Sequence, residues 1–227
     1  MRPQEATYIS EELRKLDPSV LSPCLNLGSS TLDFRVTRKP HIQRNLIAPL
    51  ERHGIAFVHV DMKEGDGIDI AGDLFEAKTQ DRIRGARPRS LFLTNVLEHV
   101  PRLTRDSLAQ LCVSLIPPGG YIVVSVPRSY PYHADPIDTM FRPDPTAIAA
   151  LFPTTTMVAS AVLPAGTALD DWRAKGPLGM TILRRGAGLL LFPFYRPRTW
   201  MHHFHELFWL TRPFRVSVAI LQRSSQA

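Results

Sequence analysis

Two stretches of this sequence hold most of the side chains that can do chemistry. The first, SYPYHADPIDTMFRP at residues 129–143, carries Tyr130, Tyr132, His133, Asp135, Asp138 and Arg142. It is too polar for a core and too rich in aromatics for a plain linker. An imidazole titrates near neutrality, so His133 can take a proton from an attacking hydroxyl. Asp135 or Asp138 can orient that ring. Arg142 can hold a carboxylate or phosphate on an acceptor through paired N–H donors, and Tyr130 and Tyr132 can wall it. The same residues also allow a purely structural reading, in which His133, Asp138 and Arg142 satisfy one another.

The second stretch, FLTNVLEHV at residues 92–100, ends an apolar run in Asn95, Glu98 and His99. In an open α/β sheet, ligands bind beyond the carboxyl ends of the strands. Asn95 is placed to line a cofactor cleft, and His99 is a second candidate base. Glu98 can orient nearby backbone. Glu98 and His99 alone are too few ligands for a metal, so no metal site is expected. His202, His203 and His205 lack a matching carboxylate or cysteine set, so no zinc site is expected there either.

The elements around these groups alternate between strand and helix. Cys24–Leu27, IAFVHVD (55–61), a short strand in GIDIAGDL (67–74), SLFLTNV (90–96) and YIVVSVP (121–127) read as strands, with two more near Thr156–Leu163 and in FRVSVAILQR (214–223). The unbroken apolar character of YIVVSVP predicts a central strand covered on both faces. Apolar periodicity predicts helices over about His41–His53, Thr104–Ile116 and Asp144–Leu151. Thr104 is the expected N-cap of the second, and Pro49 sits awkwardly in the first. Residues 75–88 read as a loop with at most a turn or two of helix, and TALDDWRAKG (167–176) as a loop or short helix. Residues 5–17 read as a short solvent-facing helix or mobile lead-in. This order predicts a three-layer α/β fold with right-handed crossovers. It also predicts a lead-in over residues 1–20, then one domain over residues 21–227 with an elaborated region at 165–214.

Composition narrows the partners. The 227 residues carry a formal net charge of +6, with basic excess in FRVTRKPHIQR and RIRGARPR. No basic stripe alternates with aromatics as on a nucleic-acid platform, so a nucleic-acid partner is not expected. The basic loops admit an anionic small-molecule acceptor. Two cysteines, Cys24 and Cys112, lie in apolar elements and read as buried thiols rather than a disulfide framework. No apolar leader and no apolar run of about 18 residues is present, so a cytoplasmic setting is expected. The aromatic and basic segment 189–214 can pack on the sheet, wall the acceptor, form a homodimer surface or touch a membrane peripherally.

Five of these pieces together resemble the class I S-adenosylmethionine-dependent methyltransferases. LNLGSST is similar to the first, glycine-rich motif, HVDMK to the second strand with its acidic tip, and GIDIAGDL to the third-strand segment. FLTNVLEHV is similar to the fourth-strand motif, and LIPPGGYIVVSVP to the helix end, turn and fifth strand. The resemblance implies a Rossmann-like methyltransferase fold: a mostly parallel seven-stranded sheet with a final antiparallel strand. It implies S-adenosyl-L-methionine as cofactor and methyl transfer to a small-molecule acceptor, an oxygen being slightly favoured. It also implies that Gly28, Ser29, Ser30 and Thr31 meet the methionine part, that Asp61 and Met62 meet the ribose and base, and that Asp73, Leu74 and Asn95 complete the cofactor site. One departure matters: Asn26 stands at the usual acidic position, and only Gly28 remains of the motif's glycines. An NAD-dependent oxidoreductase and a non-catalytic binding domain of the same fold are the alternatives.

Overall fold

The alternating strand and helix signals resolve into one sheet. In the computed structural model, residues 1–133, 137–174, 176–177, 179–180, 182–183 and 207–225 are described. The strands are β1 (Cys24–Leu27), β2 (Phe57–Asp61), β3 (Ile70–Ala71), β4 (Ser90–Thr94), β5 (Tyr121–Ser129), β6 (Thr155–Pro164) and β7 (Arg215–Arg223). They form a seven-stranded sheet in the order β3-β2-β1-β4-β5-β7-β6. β7 runs antiparallel to both β5 and β6, and the remaining pairings are parallel. This is the mostly parallel sheet with a final antiparallel strand that the sequence predicts.

Side chains alternate across the strands, so the core has two layers. Phe92, Val123, Val218 and Ile220 face a layer that holds Ala6, Ile9, Leu13, Leu46, Leu50 and Cys24. Leu91, Leu93, Ile122, Val124 and Leu221 face the other, with Leu108, Cys112 and Ile148. Residues 121–127 of β5 are all buried, as a central strand requires. Both cysteines are free and buried, one in each layer.

The helices differ from the sequence reading in instructive ways. Helix α1 (Pro3–Leu13) buries Ala6, Ile9 and Leu13 on one face, so it is part of the core and not a solvent-facing lead-in. The expected helix at His41–His53 begins earlier. Its path runs from Phe34 to Arg52, with α2 (Pro40–Ile42) and α3 (Ala48–Arg52) separated by wider π-turns at Phe34–Arg38 and Gln43–Ile47. Lys39 N–H bonds to Phe34 O just before Pro40, and Ala48 N–H to Gln43 O just before Pro49. A proline cannot supply the regular i→i−4 bond, and a widened turn ahead of each one absorbs the loss.

Residues 75–88 contain a real helix, α4 (Ala77–Gly85), anchored by buried Thr79 and Ile83. Helix α5 (Arg102–Leu115) starts before Thr104, with Pro101 in the cap position, so Thr104 is not the N-cap. Helix α6 (Pro145–Ala150) is capped by Asp144, whose side chain accepts from Ala147 N–H. Residues 168–174 are helical as α7 (Ala168–Ala174). No described helix is long and apolar enough to cross a membrane. Residues 184–206, with His202, His203, His205 and most of the aromatic segment, lie outside the described residues, as does Asp135.

Candidate active site

Strand order reverses between β1 and β4, and polar side chains gather above their carboxyl ends. A cavity of about 670 Å3 lies there. It is lined by Asn26 and Gly28–Ser30 from the end of β1, Thr94 and Asn95 from β4, and Pro127, Tyr130 and His133 from β5 and its loop. Glu98, His99 and residues of α1 and the Phe34–Leu46 stretch close it. A crevice at such a reversal is where open α/β sheets take ligands, and the volume is that of a small-molecule site.

The β1 end depends on backbone geometry. Gly28 has φ +68°, and a Cβ there would lie 2.9 Å from Val96 Cγ2. Only glycine meets both demands. Ser30 also has positive φ, 55°. The turn is held from two sides. Asp61 Oδ2 accepts the Ser30 N–H at 2.8 Å. From below, the fully buried Arg35 donates to Ser29 O at 3.2 Å, Ser30 O at 2.5 Å and Gly67 O at 2.8 Å. Thr31 caps the following turn, its hydroxyl facing Phe34 N at 3.4 Å. Asn26 donates to His59 Nδ1 at 3.2 Å across β1 and β2. Burial first, then the charge of Arg35, lowers His59 to about 4, so the ring is neutral and accepts that bond.

At the opposite wall, two buried carboxylates have contrasting surroundings. Glu5, on α1, accepts from Asn95 Nδ2 at 2.7 Å, Ser125 Oγ at 2.5 Å and Arg2 N–H at 2.9 Å. Asn95 reaches this bond from a left-handed backbone, φ 53°, which asparagine tolerates better than most residues. Glu98 is 1% exposed, yet neither of its carboxylate oxygens meets hydrogen-bond geometry with a protein group. Burial pushes its carboxyl up to about 7, against the downward pull of its own backbone amide, the N-terminal ammonium and Arg142.

Two histidines stand beside Glu98. His99 Nε2 is 3.9 Å from Glu98 Oε1. Its Nδ1 lies 2.6 Å from Ile137 O. A carbonyl only accepts, so Nδ1 carries a proton, and in the neutral ring the lone pair is on Nε2. The His133 ring meets His99 edge-on at 5.4 Å and Tyr130 at 5.5 Å. Asp138 Oδ2 is 3.1 Å from His133 Nδ1, without the alignment of a hydrogen bond. Burial lowers the His133 pKa more than Asp138 raises it. For Asp138, burial acts upward but is outweighed by hydrogen bonds from Arg142, Met140 N–H and His133 N–H, leaving it at about 2.

Of the sequence-derived candidates, Gly28, Ser29, Ser30, Asn95, His99, Tyr130 and His133 line this one cavity. Asp61 lies just behind it, bonded to its loop. Met62 is 73% exposed at the tip of β2. Asp73 is exposed and accepts the Phe75 N–H at 2.9 Å, a local turn, while Leu74 packs at the edge of the second core layer. Tyr132 is half exposed. Arg142 spends both terminal nitrogens on Asp138, at 3.0 and 2.6 Å, so the mutual-satisfaction reading describes that pair. Sequence reasoning missed Glu5, Ser125 and Arg35. The one available signal for Glu5 was the Ala6, Ile9, Leu13 spacing, which marks a buried helix face.

No family model matches the chain, and no curated protein matches it either. Solved structures do match its fold. One is assigned as a sarcosine dimethylglycine methyltransferase from Galdieria sulphuraria, 11% identical, covering 97% of this chain and 84% of its own, with a TM-score of 0.58. Coclaurine N-methyltransferase bound to N-methylheliamine and SAH is 11% identical, covers 95% and 71%, and has a TM-score of 0.51. The MccD protein is 12% identical, covers 99% and 100%, and has a TM-score of 0.50. The fold is that of the class I S-adenosylmethionine-dependent methyltransferases.

Proposed function

We propose that this chain transfers a methyl group from S-adenosylmethionine to a small-molecule acceptor, with an oxygen nucleophile favoured. The observation that carries the reading is the single cavity joining the Gly28–Ser30 turn to the histidine wall. The turn fits the cofactor's amino-acid end: its backbone runs where a Cβ on Gly28 would collide with Val96, and the Ser29 and Ser30 hydroxyls stand beside it. Asp61 is the ribose candidate, with Met62, Asp73 and Leu74 on the rim beyond. When bound, the cofactor supplies an electrophilic sulfonium methyl.

The chain's own work is to hold the acceptor close to that methyl and exclude water from it. Tyr130, His99 and His133 line the acceptor end. His133 is held neutral, with the ionised Asp138 3.1 Å from its Nδ1. A neutral imidazole backed by a carboxylate suits removal of a hydroxyl proton. This favours an oxygen acceptor.

Calorimetric titration tests the assignment. S-adenosylmethionine and S-adenosylhomocysteine should each bind at one per chain. Asp61→Ala should weaken both about tenfold or more, through loss of the support for Ser30 N–H and of the ribose partner. No binding of either at high micromolar concentration, or retention of NAD in their place, would overturn the assignment. His133→Ala should lower turnover while leaving cofactor affinity within about twofold.

A further inference from the structure

We propose that Glu98, His99 and His133 form a binding site for one divalent transition-metal ion at the acceptor end of the cavity. Glu98 and His99, adjacent in sequence, are by themselves too few ligands for a metal. The fold brings in a third from 34 residues further along: one ligand atom from each of the three residues lies within 4.8 Å of the others. All three residues line the cavity.

Three independent features point to an ion. Glu98 is almost completely buried, and neither of its oxygens has a hydrogen-bond partner; His99 Nε2, at 3.9 Å, is its one ion-pair contact among the described residues. Native proteins rarely leave such a group unanswered. The neighbouring Glu5 shows the normal outcome, with each oxygen bonded. Second, His99 donates its Nδ1 proton to Ile137 O, which leaves Nε2, the ligating nitrogen of that tautomer, turned toward Glu98 at 3.9 Å. Ligating histidines are commonly fixed in this way by a carbonyl or carboxylate on the other nitrogen. Third, His133 has the Asp138 carboxylate 3.1 Å from one ring nitrogen, and Arg142 holds that carboxylate in place. A carbonyl or a carboxylate therefore lies beside one ring nitrogen of each imidazole, hydrogen-bonded at His99 and close but unaligned at His133.

The donor set selects the ion. Two imidazoles and one carboxylate suit zinc, cobalt, manganese or iron(II), whereas magnesium and calcium prefer oxygen-rich shells. Bonds of about 2.1 Å draw such ligands to about 3.0–3.4 Å from one another, so atoms that lie within 4.8 Å of one another close by up to about 1.8 Å around the ion. Three protein ligands with the remaining coordination positions facing a cavity is the pattern of a site that binds substrate or water. A hydroxyl held there ionises more readily, and in that form His133 holds the ion rather than the proton. The site stands on this geometry alone, whether or not the chain transfers methyl groups.

The test is direct metal binding by the chelator-stripped full chain. Cobalt(II) should bind at one per chain with visible d–d absorption, and zinc should displace it. Magnesium should bind at least about 100-fold more weakly. Glu98→Gln and His133→Ala should each weaken cobalt binding at least about tenfold, while His53→Ala, in a histidine remote from the cavity, should not change it. Without metal, Glu98→Gln should be at least as stable as the parent, because an amide is easier to bury than an unanswered carboxylate. Absence of stoichiometric binding, binding undiminished in both variants, a preference for magnesium, or a metal-free Glu98→Gln less stable than the parent would each overturn the proposal. Because these readouts need no S-adenosylmethionine, failure here is separate from failure of the methyl-transfer assignment.

Discussion

Gly28 illustrates how a single residue can be constrained twice. Its φ of +68° penalises any Cβ, and Val96 Cγ2 occupies the space a Cβ would need. Gly28→Ala should therefore cost about 1–3 kcal/mol, visible as a lower urea midpoint. It should also weaken S-adenosylhomocysteine binding at least about tenfold, and parental values for both would show that the turn is not the cofactor's seat. Gly28, His99 and His133 were legible in the sequence because each stands at a strand end or in a polar loop. Glu5 was not: its partners Asn95 and Ser125 lie 90 and 120 residues away, and no local pattern records such a distance. Arg35 was hidden for a related reason. In sequence it belongs to a basic run, and only the fold turns it beneath the carbonyls of Ser29 and Ser30.

At the scale of elements, β1 and β2 are joined by more than their ladder. Asn26 donates to His59 across the pair, and within β2 the Phe57 ring stacks on that imidazole with a centroid distance of 6.0 Å. His59 is held neutral down to about 4 in the fold, while in the unfolded chain it protonates near its ordinary value of about 6.5. The unfolded state thus takes up the proton first as pH falls. The contribution is complete above about pH 6.5 and is lost progressively down to about pH 4. Discounted for partial solvent access, its size is about 2 kcal/mol. Urea midpoints at pH 7, 5.5 and 4.5 should fall more steeply for the parent than for His59→Phe; parallel slopes would remove His59 from the acid response. Strand placement was readable because apolar runs ending in polar residues have few other solutions. The π-turns before Pro40 and Pro49 were not, since the sequence shows the obstacle and not how the backbone avoids it.

For the whole molecule, a doubly wound α/β sheet followed from strand and crossover patterning, because right-handed connections leave few topologies for such an alternation. The seven strands with a final antiparallel one followed from the methyltransferase resemblance. The place of α1 did not follow, because a short polar-rich helix at one end of a sequence shows its buried face only once a surface exists to receive it. That surface also ties the two core layers to each other. Each central strand sends alternate side chains to opposite faces: Phe92 to one, Leu91 and Leu93 to the other. Neither layer can open without disturbing strands that the other requires. Cys24 sits in the first layer and Cys112 in the second, and burial pushes both thiols up to about 12. Neither should react with a thiol reagent in the native state, and both should become reactive at one shared urea concentration. Two separate midpoints would show layers that open independently. The chain thus carries its own pair of reporters, one on each side of the sheet, through which the cooperativity of the whole fold can be read without an introduced label.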